Sequence, residues 1–163
     1  MNKTYLSLGS NRGDRKGNLD NALKLLAEKA GEIVHLSSLY ETPPWGMVDE
    51  TDFINQALLF QTDLTANLLM DTIIQIELLM GRTRTAKGYE PRTIDIDILF
   101  FNSEIINNEK LSVPHPLLYN RRFVLEPMAE IAPGFIHPVF QKSIEALLSE
   151  CGDKSLIRKS VSK

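Results

Sequence analysis

The chain is 163 residues long, 43% hydrophobic and 24% charged, which suits one globular domain with a core of its own. Its 18 Lys and Arg are outnumbered by 21 Asp and Glu, and a net charge of −3 gives no general footing on a polyanion, which argues against a nucleic-acid binder. A single cysteine, Cys151, rules out an intramolecular disulfide framework and any multi-cysteine metal site, and no apolar run approaches the roughly 20 residues that span a bilayer. A soluble, cytoplasmic protein is therefore expected, with no membrane partner.

In chain order, residues 4–10 (TYLSLGS) read as a short strand, and NRGDRKG after it carries turn chemistry. Leu19, Ala22, Leu23, Leu26 and Ala30 then recur at helical spacing, with Asn18 placed as the N-cap and Gly31 just past the end. The β-formers of IVHLSSLY at 33–40 lead into TPPWG, where two prolines forbid helix and fix an extended loop. FINQALLFQT at 53–62 reads as a strand. From Thr65 to Met80 a second apolar stripe (Leu69, Ile73, Ile76, Met80) predicts a helix that stops at Gly81. RTRTAKGYEP at 82–91 has no apolar periodicity and several cations, and predicts an exposed, mobile loop.

TIDIDILFF reads as a strand. A hairpin around Asn102 and Ser103, the proline-bearing LSVPHPLLYNRR, an apolar stretch from Phe123 to Ile131 and a helix over 144–149 follow. Residues 1–163 are expected to form one domain, with about ten frayed residues at the end. The order β-α-β-β-α-β up to Phe101 predicts the α+β class: a ferredoxin-like antiparallel sheet, two long helices on one face, and C-terminal additions.

The most informative stretch is Pro91-Arg-Thr-Ile-Asp-Ile-Asp-Ile-Leu99. Strand alternation puts Ile94, Ile96, Ile98 and Phe100 on one face and Asp95 and Asp97 on the other, their Cα atoms roughly 7 Å apart. Two carboxylates held side by side repel unless a cation joins them, and hard oxygen ligands suit Mg²⁺. The spacing alone fits two solvated aspartates on an exposed face equally well. Upstream, Arg82, Arg84, Lys87 and Arg92 are opposed only by Glu90, and a cationic loop beside a carboxylate pair is what phosphoryl transfer needs.

Lys110, His115, Arg121 and Arg122 form a second cationic cluster that could close on the same phosphates. Glu77 stands near the apolar stripe of its helix, where a ribose contact and a solvated flank both fit the pattern. No Walker loop, G-x-G-x-x-G or H-E-x-x-H is present, so the common nucleotide-fold and zincin readings fail.

Seven motifs in order carry a family resemblance: L-G-S-N at 8–11, Y-E-T-P-P-W-G at 40–46, F-I-N-Q-A at 53–57, I-E-x-x-M-G-R at 76–82, P-R-T-I-D-I-D-I at 91–98, V-P-H-P at 113–116 and N-R-R-F-V-L at 120–125. On these the chain resembles the 6-hydroxymethyl-7,8-dihydropterin pyrophosphokinases of folate biosynthesis along nearly its whole length. The resemblance implies transfer of the β,γ-pyrophosphoryl group of ATP to the hydroxymethyl group of a reduced pterin, leaving AMP. It implies two Mg²⁺ ions on Asp95 and Asp97, ATP as co-substrate, and Arg82 and Arg92 as catalytic cations. Arg84, His115 and Arg121 would also meet phosphates, Glu77 would bind the nucleotide, and adenine would pack near Ile98 and the backbone of Lys110, Leu111 and Ser112.

For the pterin, Phe53 and Phe123 match the family's stacking pair, and the backbone of Thr42, Pro43, Pro44, Trp45 and Gly46 matches the rest of the pocket. Asn55 shares a strand face with Phe53, and its amide can both donate to and accept from a ring edge. The partners are then small molecules, and the chain a monomer. Tyr89 and Glu90 depart from the family's frequent Trp-Gly, while Ile74 and Pro116 replace polar nucleotide contacts of some members. Two other readings share some of these features: a different D-x-D metal-dependent transferase, and a non-catalytic ferredoxin-like ligand-binding module.

Overall fold

The computed structural model describes residues 1–42, 52–81 and 93–160. Strand β1 (Asn2–Ser10) is central. It pairs antiparallel with β4 (Phe53–Thr62) on one side and with β5 (Asp95–Phe101) on the other. Two short strands, β2 (Glu32–Leu36) and β3 (Tyr40–Thr42), lie in succession along the far side of β4. Helix α1 (Arg15–Lys29) joins β1 to β2, and α2 (Ala66–Leu79) leaves the end of β4. A small hairpin, β6 (Ile106–Asn107) with β7 (Ser112–Val113), follows β5. A 3-10 turn (Leu118–Asn120), α3 (Arg122–Ile131), α4 (Ile144–Glu150) and β8 (Arg158–Lys159) complete the described chain.

Period-2 alternation in the strands and period-3.6 stripes in the helices give the sheet two differently covered faces. On one, Leu6, Leu8, Leu58, Phe60, Ile96 and Ile98 meet Leu19 and Leu26 of α1 and Leu69, Ile73 and Ile76 of α2 in a single core. Each such side chain contributes about 1.5–3 kcal/mol relative to exposure. On the other face, α3 lies against β4 and β3, and Leu99 and Phe100 join Val124, Leu125 and Met128 of α3 and Ile144 and Leu147 of α4 in a second core.

Several expectations are corrected. Helix α1 begins ahead of Asn18: Asp14 is its N-cap, its Oδ1 accepting from the Gly17 N–H at 3.0 Å. Asn18 instead donates to Ser10 Oγ and the Arg12 carbonyl, tying the helix to the end of β1. The β-rich run at 33–40 is split, because the chain leaves the ladder between β2 and β3. Asn102 makes a turn in the left-handed region, φ 52°, but the strands on either side of it have other partners, and the hairpin is β6 with β7. The apolar stretch at 123–131 is helix α3, although Pro127 lies inside it. Near the end, Arg158 and Lys159 pair with β3 and the Ser160 N–H donates to the Leu39 carbonyl at 2.7 Å, so residues 158–160 are docked where fraying is expected.

The last correction is in β5. Its pairing with β1 slips by one residue, Leu6 opposing Ile98 and Tyr5 opposing Phe100, so Leu99 is the extra residue of a β-bulge. Phe100 is thereby turned away from Ile94, Ile96 and Ile98 into the second core, and Phe101 takes its place on the α1/α2 side. Among the described residues no helix is long and apolar enough to cross a membrane.

Candidate active site

The antiparallel register sets candidate residues in rows across the sheet. Asp95 lies opposite Gly9, Gly9 opposite Asn55, and Asn55 opposite Tyr40; one step along, Asp97 lies opposite Ser7. Directly opposed residues share a face, and the Tyr40 hydroxyl donates to Glu130 of α3 at 2.5 Å, so this is the α3 side of the sheet. Two strand spacings of roughly 4.8 Å separate the Asp95 and Asn55 backbones by about 10 Å. Gly9, between them, has no side chain to fill that gap. A Cβ there would sit 2.8 Å from Asn55 Oδ1 and 3.8 Å from the Phe53 ring.

Asn55 is only 4% exposed, and its Nδ2 donates to Thr42 Oγ1 at 3.0 Å, which fixes the carboxamide over the bare Gly9 backbone. Phe53 is half-buried beside it. Phe123, in the first turn of α3, is also half-buried and carries the Arg121 guanidinium 5.7 Å from its ring centroid. Asn11, directly after β1 and 2% exposed, has both its side-chain Nδ2 and Oδ1 without a hydrogen-bond partner among the described residues.

On the other side of Gly9, Asp95 and Asp97 are half-buried and share a face, as alternation requires. Among the described residues no three His, Cys, Asp or Glu side chains converge to enclose a metal. Two hard, half-buried carboxylates on one strand face nevertheless fit Mg²⁺, which commonly takes one or two protein carboxylates and completes its shell with phosphate oxygens and water.

His115 is anchored by the bulge: its N–H donates to the Leu99 carbonyl at 3.0 Å. Its Nδ1 accepts from the Leu117 N–H at 3.2 Å, which leaves the ring proton on Nε2. Burial pushes its pKa down, as does the charge of Arg121, while Asp95 opposes both. The imidazole is therefore neutral at neutral pH, within electrostatic reach of a guanidinium and a carboxylate of the site.

The second cationic cluster does not assemble as a whole. Lys110 Nζ is paired with Asp71 of α2 at 2.8 Å and Arg122 with Glu126 at 2.9 Å, whereas His115 feels the charges of both Arg121 and Asp95. Glu77 is not a solvated flank. It is 4% exposed, and its Oε2 accepts from the Ile96 N–H at 3.0 Å on the free edge of β5, between the two aspartates. Ile98 is buried in the α1/α2-side core at 3% exposure, Leu111 is buried, and Ser112 is exposed in β7. Pro43, Pro44, Trp45, Gly46, Arg82, Arg84, Lys87, Tyr89, Glu90 and Arg92 lie outside the described residues.

Sequence reasoning missed Gly9. The available signal was a glycine inside a strand pattern, which often marks close approach of a ligand or another group.

The chain matches a family model described as 7,8-dihydro-6-hydroxymethylpterin-pyrophosphokinase over residues 5–133. It is 47% identical to the 2-amino-4-hydroxy-6-hydroxymethyldihydropteridine pyrophosphokinase of Bacillus subtilis over 131 residues, covering 80% of this chain and 78% of the relative. The protein of the same name from Haemophilus influenzae is 36% identical over 97% of this chain and 98% of its own. In three dimensions the chain is similar to the crystal structure of Plasmodium falciparum HPPK-DHPS, with a TM-score of 0.74 at 21% identity over 91% of this chain. It spans only 44% of that longer solved chain, and at that identity the likeness speaks for the fold alone.

Proposed function

The chain belongs to the 7,8-dihydro-6-hydroxymethylpterin-pyrophosphokinase family, and on that premise we propose that it transfers the β,γ-pyrophosphoryl group of ATP to 6-hydroxymethyl-7,8-dihydropterin, giving the pterin diphosphate and AMP in folate biosynthesis. The observation that carries this reading is the row Asp95–Gly9–Asn55: a carboxylate pair and a fixed carboxamide on either side of a bare glycine. The order is β-α-β-β-β-α-β; with β2 and β3 taken as one interrupted strand along β4, and with β5 and β4 flanking β1, it supports naming the fold ferredoxin-like within a single domain of 1–163.

In the reaction the pterin hydroxyl oxygen forms a bond to the β-phosphorus of ATP and gives up its proton to solvent, the bond from that phosphorus to the α,β-bridging oxygen breaks, and AMP leaves with the electron pair. Asn55, held by Thr42, meets the polar edge of the pterin while Phe53 and Phe123 take its faces. The Nε2–H of neutral His115 donates to a phosphate oxygen, and Arg121 adds a charge beside it. By the sequence motifs, Arg82, Arg84 and Arg92 complete the phosphate contacts, and backbone groups of 42–46 complete the pterin pocket. Glu77, Ile98 and the segment Lys110–Ser112 take the nucleoside side. Asp95 and Asp97 hold two Mg²⁺ ions, which supply charge neutralisation on the phosphates and a lowered pKa for the attacking hydroxyl.

The test is AMP formation from ATP, dependent on the pterin and on Mg²⁺. Asp95→Ala and Asp97→Ala should each lower kcat about a hundredfold or more, about 2.7 kcal/mol of transition-state stabilisation. Both variants should keep the parent's circular dichroism. Near-normal turnover in either at saturating Mg²⁺ would remove the metal assignment, and a parent that forms no AMP would remove the activity itself.

A further inference from the structure

We propose that Asp153, well beyond the stretch matched by the family model, is a positioning residue for this site: it fixes the N-terminal end of α3, from which Arg121 and Phe123 reach phosphate and pterin. The inference rests on the proposed function.

Helix α3 does not cap itself. Its N-cap, Arg121, makes no side-chain hydrogen bond to the first turn, and that turn contains no acidic residue. A helix start leaves backbone N–H groups without partners and carries partial positive charge, so a carboxylate is the group it takes best. Asp153 supplies it from the C-terminal segment, its Oδ2 accepting from the Arg122 N–H at 3.0 Å. The carboxylate is itself held: Oδ1 accepts from the Ser155 N–H at 2.9 Å and from Ser155 Oγ at 2.5 Å. At 9% exposure it has little water to compete for these bonds. Burial opposes its ionisation, yet the bonds from Ser155 and Arg122 and the charge of Arg122 hold its carboxyl below the usual range.

The residues flanking the capped N–H are the two that matter. Arg121 precedes it and Phe123 follows it, and the guanidinium of one lies over the ring of the other. An uncapped α3 would fray from this end first, loosening the phosphate-side cation and the pterin-side ring together. Asp153 touches neither substrate and acts only through the backbone it holds.

The experiment uses Asp153→Ala and Asp153→Asn in the full chain, well below their melting temperatures. It titrates the pterin, with Mg²⁺ and a non-hydrolysable ATP analogue present, and separately the nucleotide. Loss of a cap should weaken both ligands about fivefold to tenfold in Asp153→Ala. Asp153→Asn keeps one accepting oxygen and should fall in between. A purely structural role would lower the fraction of binding-competent protein and leave the Kd of that fraction unchanged. In a Phe123→Ala background the effect of Asp153→Ala on pterin affinity should shrink to within about twofold, because the group it positions is gone. An unchanged Kd for both ligands, or an undiminished pterin effect in the Phe123→Ala background, overturns the proposal. If Asp153→Ala does not fold, Ser155→Ala, which removes one of the carboxylate's supports, carries the same comparison at smaller amplitude. A parent chain that forms no AMP overturns the proposed function, whereas an active parent with indifferent Asp153 variants overturns this inference alone.

Discussion

At the scale of single residues, the site depends as much on what is absent as on what is present. A methyl group at Gly9 would sit 2.8 Å from Asn55 Oδ1, closer than any real Cβ contact, and Asn55 is not a free end that can swing aside, since Thr42 holds its amide. Gly9→Ala should therefore displace the carboxamide and weaken pterin binding about tenfold while leaving nucleotide affinity within about twofold. Asn55→Ala should have the same selectivity through loss of hydrogen bonds worth roughly 1 kcal/mol each. Calorimetry with each ligand in turn checks both variants, and equal losses for nucleotide and pterin would show that Gly9 and Asn55 do not form a pterin-specific floor. That Asp95 shares a face with Asp97, and Phe53 with Asn55, was legible in the sequence because alternation on a strand fixes which side chains point the same way. The part played by Gly9 was not, because it depends on which residue the register sets opposite it.

At the scale of elements, β5 is an edge strand stabilised from outside the sheet. The buried Glu77 carboxylate on α2 accepts from the Ile96 N–H between the two aspartates, so this bond ties a helix to a strand carrying the site. Glu77→Leu leaves that buried donor unpaired and should lower stability by roughly 1–3 kcal/mol, whereas Glu77→Gln, which keeps a carbonyl oxygen, should lose less. Urea unfolding of the two variants provides the check, and equal stabilities would mean that the bond contributes nothing. Three residues beyond Ile96, the Leu99 bulge turns Phe100 into the second core, and the Leu99 carbonyl anchors His115. A strict period of 2 cannot register an extra residue, so the sequence pattern put Phe100 on the wrong face. Helix α3 was hidden for a related reason: Pro127 argues locally against helix, and burial of Val124, Leu125 and Met128 outweighs it.

At the scale of the whole molecule, buried titratable groups set how stability varies with pH. Burial lowers the pKa of His137 below its ordinary 6.5, and burial together with Arg121 lowers that of His115. The unfolded chain then binds these protons first, so the stability contributed is complete above 6.5 and lost as pH falls through the folded values. In His137, buried as it is, Nδ1 also accepts from the Val139 and Phe140 N–H groups at 3.1 Å, bonds that protonation at that atom would break. A second loss should begin below 4.5. There Glu130, whose burial is outweighed by bonds from Tyr40 and Ser38, and then Asp153 become protonated in the unfolded chain before the folded one. Melting temperature against pH should thus fall in two steps on the acid side. A His137→Asn variant, with a non-titrating acceptor near the same place, should diminish the upper step, and an undiminished step would exclude His137 as its source.

The sequence by itself determined the α+β class, the three long strands β1, β4 and β5, the two long helices and their buried stripes, the Asp95/Asp97 face and the family. All of these are carried by local periodicity, propensity and contiguous motifs. Tertiary structure alone decided which groups meet. It buried Glu77 against the β5 edge, paired Lys110 with Asp71, set Gly9 between Asp95 and Asn55, and brought Asp153 to the start of a helix built from residues far earlier in the chain. Each is a contact between segments distant in sequence, where a charge or hydrogen bond goes to whichever partner the folded backbone brings within reach.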